Sequence, residues 1–80
     1  GADVAIVGGG QNNEISISLR SKEGFYKVTQ IHLGQDVAKE AGEFLNGMGG
    51  GHSMSAGVNG SGDLKEALKF CLKLLTKKLR

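Results

Sequence analysis

Hydrophobic and polar positions alternate most strictly between Glu14 and Arg20 (EISISLR). Ile15, Ile17 and Leu19 fall on one face and Ser16, Ser18 and Arg20 on the other, which predicts a half-buried strand. Ala2 to Val7 (ADVAIV) is a nearly continuous apolar run and predicts a buried strand. The GGGQNN between them has hairpin length, so the two strands are expected to pair antiparallel, with Gly8–Gly10 in the loop. At the other end of the chain the period changes. Leu64, Ala67, Leu68, Cys71, Leu72, Leu75 and Leu79 make one apolar face, which predicts an amphipathic helix from Asp63 to about Lys78. Asp63 and Glu66 open it with a capping-box spacing, Asp replacing Ser or Thr.

The middle is less regular. Residues 21–33 have no clean period, and Tyr26–Ile31 reads as a short strand or an ordered loop. Val37, Ala38, Ala41, Phe44 and Leu45 predict a helix from about Gln35 to Asn46, with Gly47 as its left-handed cap. Met54, Ala56 and Val58 alternate with small polar residues, as in a tightly packed strand. The expected fold is α/β of the α+β kind: one domain over residues 1–80 with a small, mostly antiparallel or mixed sheet of three to five strands. Two helices complete it, the second C-terminal and amphipathic.

Composition narrows the function classes. The chain starts at Gly1 without methionine and is expected to be a piece of a longer protein, Gly1 itself being a candidate cloning remnant. A net charge of +2 is too small to steer polyanions, so anion binding must come from a local arrangement. The single Cys71 excludes an internal disulfide and fits a reducing, cytoplasmic setting. No apolar run approaches the roughly 20 residues that span a bilayer, so no membrane partner is expected.

Several motifs carry no chemistry. DVAIVGGG resembles the opening of a dinucleotide fingerprint, but the third glycine position holds Asn13 and a strand follows where a helix is required. Lys65, Lys69, Lys73 and Lys77 form a basic stripe opposite the leucine face, without interleaved aromatics, and read as a solvated surface. No metal-ligand spacing and no nucleophile–base pair is present, so no catalytic residue and no cofactor are assigned. Cys71 reads as a core residue and His32 as surface or packing.

GMGGGHSMSAG, residues 47–57, is different. Its five glycines lose much backbone freedom on folding and need a compensating use. Successive glycines can turn backbone N–H groups into a concave anion site, and His52 adds a side-chain donor beside a wall of small residues. A mobile loop with an incidental histidine explains the same residues, and both readings stay open on residue types alone.

Gly49-Gly50-Gly51-His52-Ser53-Met54-Ser55-Ala56-Gly57 resembles the signature of the DHHA1 domain: GGGH, two variable residues, a small residue, then Ala-Gly. Ser18-Leu19-Arg20-Ser21 resembles that domain's S-x-R-S strand end. The order of elements agrees over most of the chain, although only these two motifs are specific. DHHA1 is the C-terminal substrate-binding half of DHH-superfamily phosphoesterases, among them RecJ-like single-strand exonucleases, nanoRNases and cyclic-dinucleotide phosphodiesterases. The resemblance implies that Gly49, Gly50, Gly51 and His52 hold substrate phosphate. Arg20 would reach the phosphate or base of a terminal nucleotide, with Ser18, Ser21 and Ser53 in support. Manganese or magnesium would be bound by a separate N-terminal DHH domain, so the metal-dependent hydrolase would be the parent protein. The implied partners are single-stranded nucleic acid or short nucleotides and that N-terminal domain, and a homodimer is left open. Two departures stand out: Ser55, where alanine is commoner, and the ill-matched residues 22–33, which leave the substrate in doubt. The rivals are the related C-terminal domain of alanyl-tRNA synthetases, which has a longer glycine run usually without the following His, and an interaction module with a purely structural glycine loop.

Overall fold

The structure, a computed structural model, describes residues 4–79. Ala2 and Asp3 of the first predicted strand lie outside them. Strands β1 (Val4–Gln11) and β2 (Glu14–Ser21) form the expected hairpin, closed by Asn12 and Asn13 with φ of 54° and 68°. Two left-handed residues in succession define a type I′ turn, whose twist matches that of the strands it joins. Gly8–Gly10 are therefore not a loop but the second half of β1, paired with Ile15–Ile17. Nor is β1 buried: it is an edge strand, and Val7 is 66% exposed.

β3 (Met48–Gly51) and β4 (Ser55–Ser61) complete an antiparallel sheet of order β1-β2-β4-β3. The glycine cluster, expected as a loop, thus supplies the second edge strand. The region left open between strand and loop is a helix, α1 (Phe25–Thr29), bracketed by left-handed Gly24 and Gln30 and anchored by buried Phe25. The next helix comes two residues earlier than predicted, as a π-helical segment over Leu33–Ala38 running directly into α2 (Lys39–Phe44). Its left-handed exit is Asn46 (φ 55°) and not Gly47. Gly47 is required for another reason, since a Cβ there would overlap the Asn59 carbonyl oxygen.

The C-terminal helix α3 (Leu64–Lys78) is capped as read: Asp63 Oδ1 accepts from the N–H of Lys65 at 2.8 Å and of Glu66 at 3.3 Å. Its buried stripe is Ala67, Cys71, Leu74 and Leu75, the i, i+4, i+7, i+8 positions of one face. Leu72 and Leu79 flank that stripe and stay 59% and 57% exposed, contrary to the apolar face drawn from sequence. Phe44, also expected inside, is half exposed and stacks on Phe70 with ring centroids 4.2 Å apart.

All burial is on one side of the sheet. Ile15, Ile17, Leu19 and Val58 meet Leu33, Val37, Ala41 and Leu45 from the middle helices and the stripe of α3. Each large aliphatic side chain so buried contributes about 1.5–3 kcal/mol. The result is an α+β fold, as predicted, with two layers and one uncovered sheet face.

Candidate functional site: the open face of the sheet

The strand registers put Ser18, Gly57 and Gly50 side by side in one row across the uncovered face, with Val7 beyond Ser18. The row above holds Ala5, Arg20 and Ser55. The row below holds Gly9, Ser16, Asn59 and Met48. Ser18 and Arg20 therefore share the open face, as the period-2 pattern requires.

The three consecutive glycines differ in what surrounds them. A Cβ on Gly49 would overlap the carbonyl oxygen of Ala38, where the helical layer rests directly on β3. Gly51 has φ of 141°, and a Cβ on it would meet the backbone of Ser55 and Ala56 at 2.6–2.7 Å. The helices supply matching glycines, Gly42 against the Gly49 nitrogen and Gly34 against the Gly51 carbonyl. Four glycines thus let helix and strand backbones touch. Gly50 is unlike them: a Cβ there would meet nothing within 4 Å, and its φ is not positive. The fold does not explain why Gly50 is glycine. The same holds for Gly9, and Gly57 has only an ordinary contact at 3.8 Å. Because Met48–Gly51 is extended, successive N–H groups point in alternate directions, so the run does not make the concave nest considered from sequence.

His52 follows directly. Its N–H donates to the Ser55 carbonyl at 2.7 Å and its own carbonyl accepts from the Gly34 N–H at 3.1 Å. The Ser53 carbonyl accepts from Leu33 N–H at 3.2 Å. The first N–H groups of the π-helical segment, which have no partner inside their helix, thus fix the loop backbone at 52–53. Ser55 pairs with Arg20 on its other side, so His52 and Arg20 flank it at a backbone separation of two strand spacings, about 10 Å. Both residues are exposed, and neither side chain makes a hydrogen bond among the described residues.

Of the supporting serines, Ser18 lies on the open face and Ser53 holds the loop through its carbonyl. Ser21 falls on the covered side by strand alternation, and its hydroxyl is buried with no hydrogen-bond partner among the described residues. It is not part of the Arg20 surface. His32, unassigned from sequence, caps the π-helical segment: its Nδ1 accepts from Gln35 N–H at 3.0 Å while its N–H donates to Asp36 Oδ2 at 2.8 Å. His32 followed by Asp36 is a weak capping signal in the sequence, because His is rarely a cap. Gly34 and Gly42 were not singled out either; a single sequence does not distinguish a packing glycine from a loop glycine.

A hollow on this face lies away from His52. It is a shallow groove of about 720 Å³ at the Gly9, Ser16, Asn59 and Met48 end. Among the described residues no group of three or more His, Cys, Asp or Glu could hold a metal ion, so the donors present do not fit a catalytic metal. No described helix is long and apolar enough to cross a membrane.

Residues 1–80 match the DHHA1 domain. The chain belongs to the DHHA1 family. It is accordingly an accessory domain of the DHH phosphoesterase type, the kind that normally follows an N-terminal DHH domain. A similar protein is an uncharacterized protein of Methanocaldococcus jannaschii, 36% identical over 83 residues. That alignment takes in 91% of this chain and 24% of the relative, so the chain spans about a quarter of the relative's length.

Proposed function

We propose that the open sheet face of this DHHA1 domain holds the phosphate of single-stranded nucleic acid or of short nucleotides for a metal-dependent DHH phosphoesterase. The observation that carries the reading is Gly50. It has room for a side chain and a backbone any residue can adopt, yet it is glycine, paired with Gly57 in the row next to the one that Arg20, Ser55 and His52 make. A bare backbone there lets a ligand lie directly on the sheet. Arg20 supplies a permanent cation with a planar fork suited to phosphate, and His52 supplies a ring N–H. The fixed backbone at 52–53 holds the imidazole ready. Manganese or magnesium and the hydrolytic step belong to the DHH domain, and this chain's residues only bind and orient.

Titration of 5′-AMP to millimolar concentration, followed by NMR, tests the reading. Shifts are expected at residues 49–52 and at Arg20, with affinity reduced about ten- to a hundredfold in His52→Ala, the loss of one hydrogen bond to a charged group. Silence at 49–52, or equal binding by His52→Ala, overturns it.

A further inference from the structure

Resting on the phosphate reading and going beyond it, we infer that His32 and Asp36 are positioning residues for His52, and that the latch they form holds only while the His32 ring is neutral. The four leading N–H groups of the π-helical segment are all bonded, and their acceptors fall into two pairs. Leu33 and Gly34 donate to the Ser53 and His52 carbonyls at 3.2 and 3.1 Å. Gln35 and Asp36 donate to His32, one to ring Nδ1 at 3.0 Å and the other to its carbonyl at 2.7 Å. Asp36 closes the circuit, its Oδ2 accepting from the His32 N–H at 2.8 Å. His32 is thus tied by its N–H, its carbonyl and its ring to the turn whose first two N–H groups grip the loop. The grip falls on His52 itself, whose N–H is also taken, by the Ser55 carbonyl at 2.7 Å. With both backbone groups bonded, the His52 imidazole has only its side-chain torsions left to vary. Gly34 tightens the coupling. A Cβ there would overlap the Gly51 carbonyl oxygen, so this first turn lies directly on the residue before His52.

The choice of histidine makes the latch more than a cap. Asn and Ser cap helices well and keep their acceptor oxygen at any pH, whereas Nδ1 accepts only when it carries no proton. Imidazoles as a class gain that proton between about pH 8 and 5. The added N–H would face the Gln35 N–H, and the cap is lost. The titratable groups around the ring are Asp36 on the same segment, Tyr26 on α1 and His52 on the loop that the segment holds; the Tyr26 ring meets His32 edge-on, with centroids 5.9 Å apart. Asp36 is the anion toward which an imidazolium turns. Acid therefore acts on the two histidines in opposite senses. At His52 a proton adds a cation for phosphate, and at His32 it frees the loop that aims this cation.

The test uses a tetrathymidylate without a terminal phosphate, whose charge is constant from about pH 5 to 8, where imidazoles titrate. Its affinity for the wild-type chain is expected to peak near neutrality and fall on acidification. His32→Asn caps without titrating, so its affinity should keep rising to about pH 5 and there exceed that of wild type about fivefold, the usual scale of a cap. Asp36→Ala should bind about fivefold more weakly at neutral pH, and Asp36→Asn, which keeps an acceptor oxygen, should recover the wild-type affinity. Amide exchange on the ligand-free chain reads the latch directly. Protection at Leu33 and Gly34 should fall about fivefold in acid for wild type and hold in His32→Asn, or in His32→Ser should the asparagine variant not fold. Parallel binding profiles for wild type and the capping variant, or unchanged protection at Leu33 and Gly34, overturn the latch and leave the phosphate site standing. Silence of residues 49–52 toward the ligand at every pH overturns the phosphate site, and with it the positioning role, whatever exchange shows at Leu33 and Gly34.

Discussion

Glycines on the two faces of the sheet are there for opposite reasons. On the covered face, Gly8, Gly49 and Gly60 each have an atom of the helical layer where a side chain would be: Leu64, Ala38 and Leu45 respectively. On the open face, Gly9, Gly50 and Gly57 have space. One face uses glycine to bring two layers into backbone contact, and the other keeps a surface bare. Gly49 and Gly50 are neighbours in the chain and belong to different explanations. A residue's type is therefore a poor guide to its role until its face is known.

The largest expected effect separates that pair. Gly49→Ala drives a methyl group into the Ala38 carbonyl, with backbone on both sides and no rotamer to escape through. The cost is about 3 kcal/mol or more, a large part of the roughly 5–15 kcal/mol that holds a small domain together. Gly50→Ala should change stability by no more than about 0.5 kcal/mol. Urea denaturation of the two variants reads the difference directly, and equal midpoints would erase the distinction between the faces.

Much of this was legible in the sequence. The β1–β2 hairpin follows from EISISLR and Asn12-Asn13, α3 follows from its leucine period and Asp63, and the family follows from GGGH. The open face follows too, because Ser16, Ser18 and Arg20 alternate with Ile15, Ile17 and Leu19. Tertiary contact supplied the rest. Gly8–Gly10 and Met48–Gly51 read as loops because glycine has low strand propensity, and each run is extended only because a neighbouring strand pairs with it. The α1 helix is five residues long, too short for a period to show. The groove is formed by residues from all four strands and no single segment announces it.

A smaller effect asks whether the covered side supports the open one. His32→Ala removes the cap of the π-helical segment, whose Leu33 and Gly34 N–H groups fix the backbone at Ser53 and His52. The expected loss is about 1 kcal/mol, a fall in Tm of roughly 4–8 °C for a domain this size. Amide shifts should extend to residues 52–53. If the stability falls while those amides stay put, the loop is held independently of the cap.

Smaller still is an alkaline effect confined to the covered side. Burial pushes the Cys71 thiol above its ordinary value of 9.0, because the low-dielectric core disfavours the thiolate. The folded state then keeps a proton that the unfolded chain has released. The linked stability is complete below the unfolded value and is lost as pH rises through the folded one, so stability falls above about pH 9. Cys71→Ala should be less stable by a constant amount near neutrality and show a flatter decline above about pH 9. Parallel curves for the two proteins would mean that the thiol ionises equally in both states.

The last expectation is an absence of effect. Lys65, Lys69 and Lys73 are exposed on α3, in the layer behind the sheet, so a ligand on the open face has no path to them. Changing all three to Gln should leave the salt dependence of single-stranded oligonucleotide binding as it was. Each phosphate contact on a single strand contributes about 0.7 to the slope of log affinity against log salt. Three lost contacts would lower the slope by about 2, whereas Arg20→Gln alone should lower it by about 0.7. The two variants therefore place the polyanion on one side of the sheet or the other. A slope that drops with the lysines and survives the loss of Arg20 would mean that nucleic acid lies on the helical layer and that the bare glycine row serves something else.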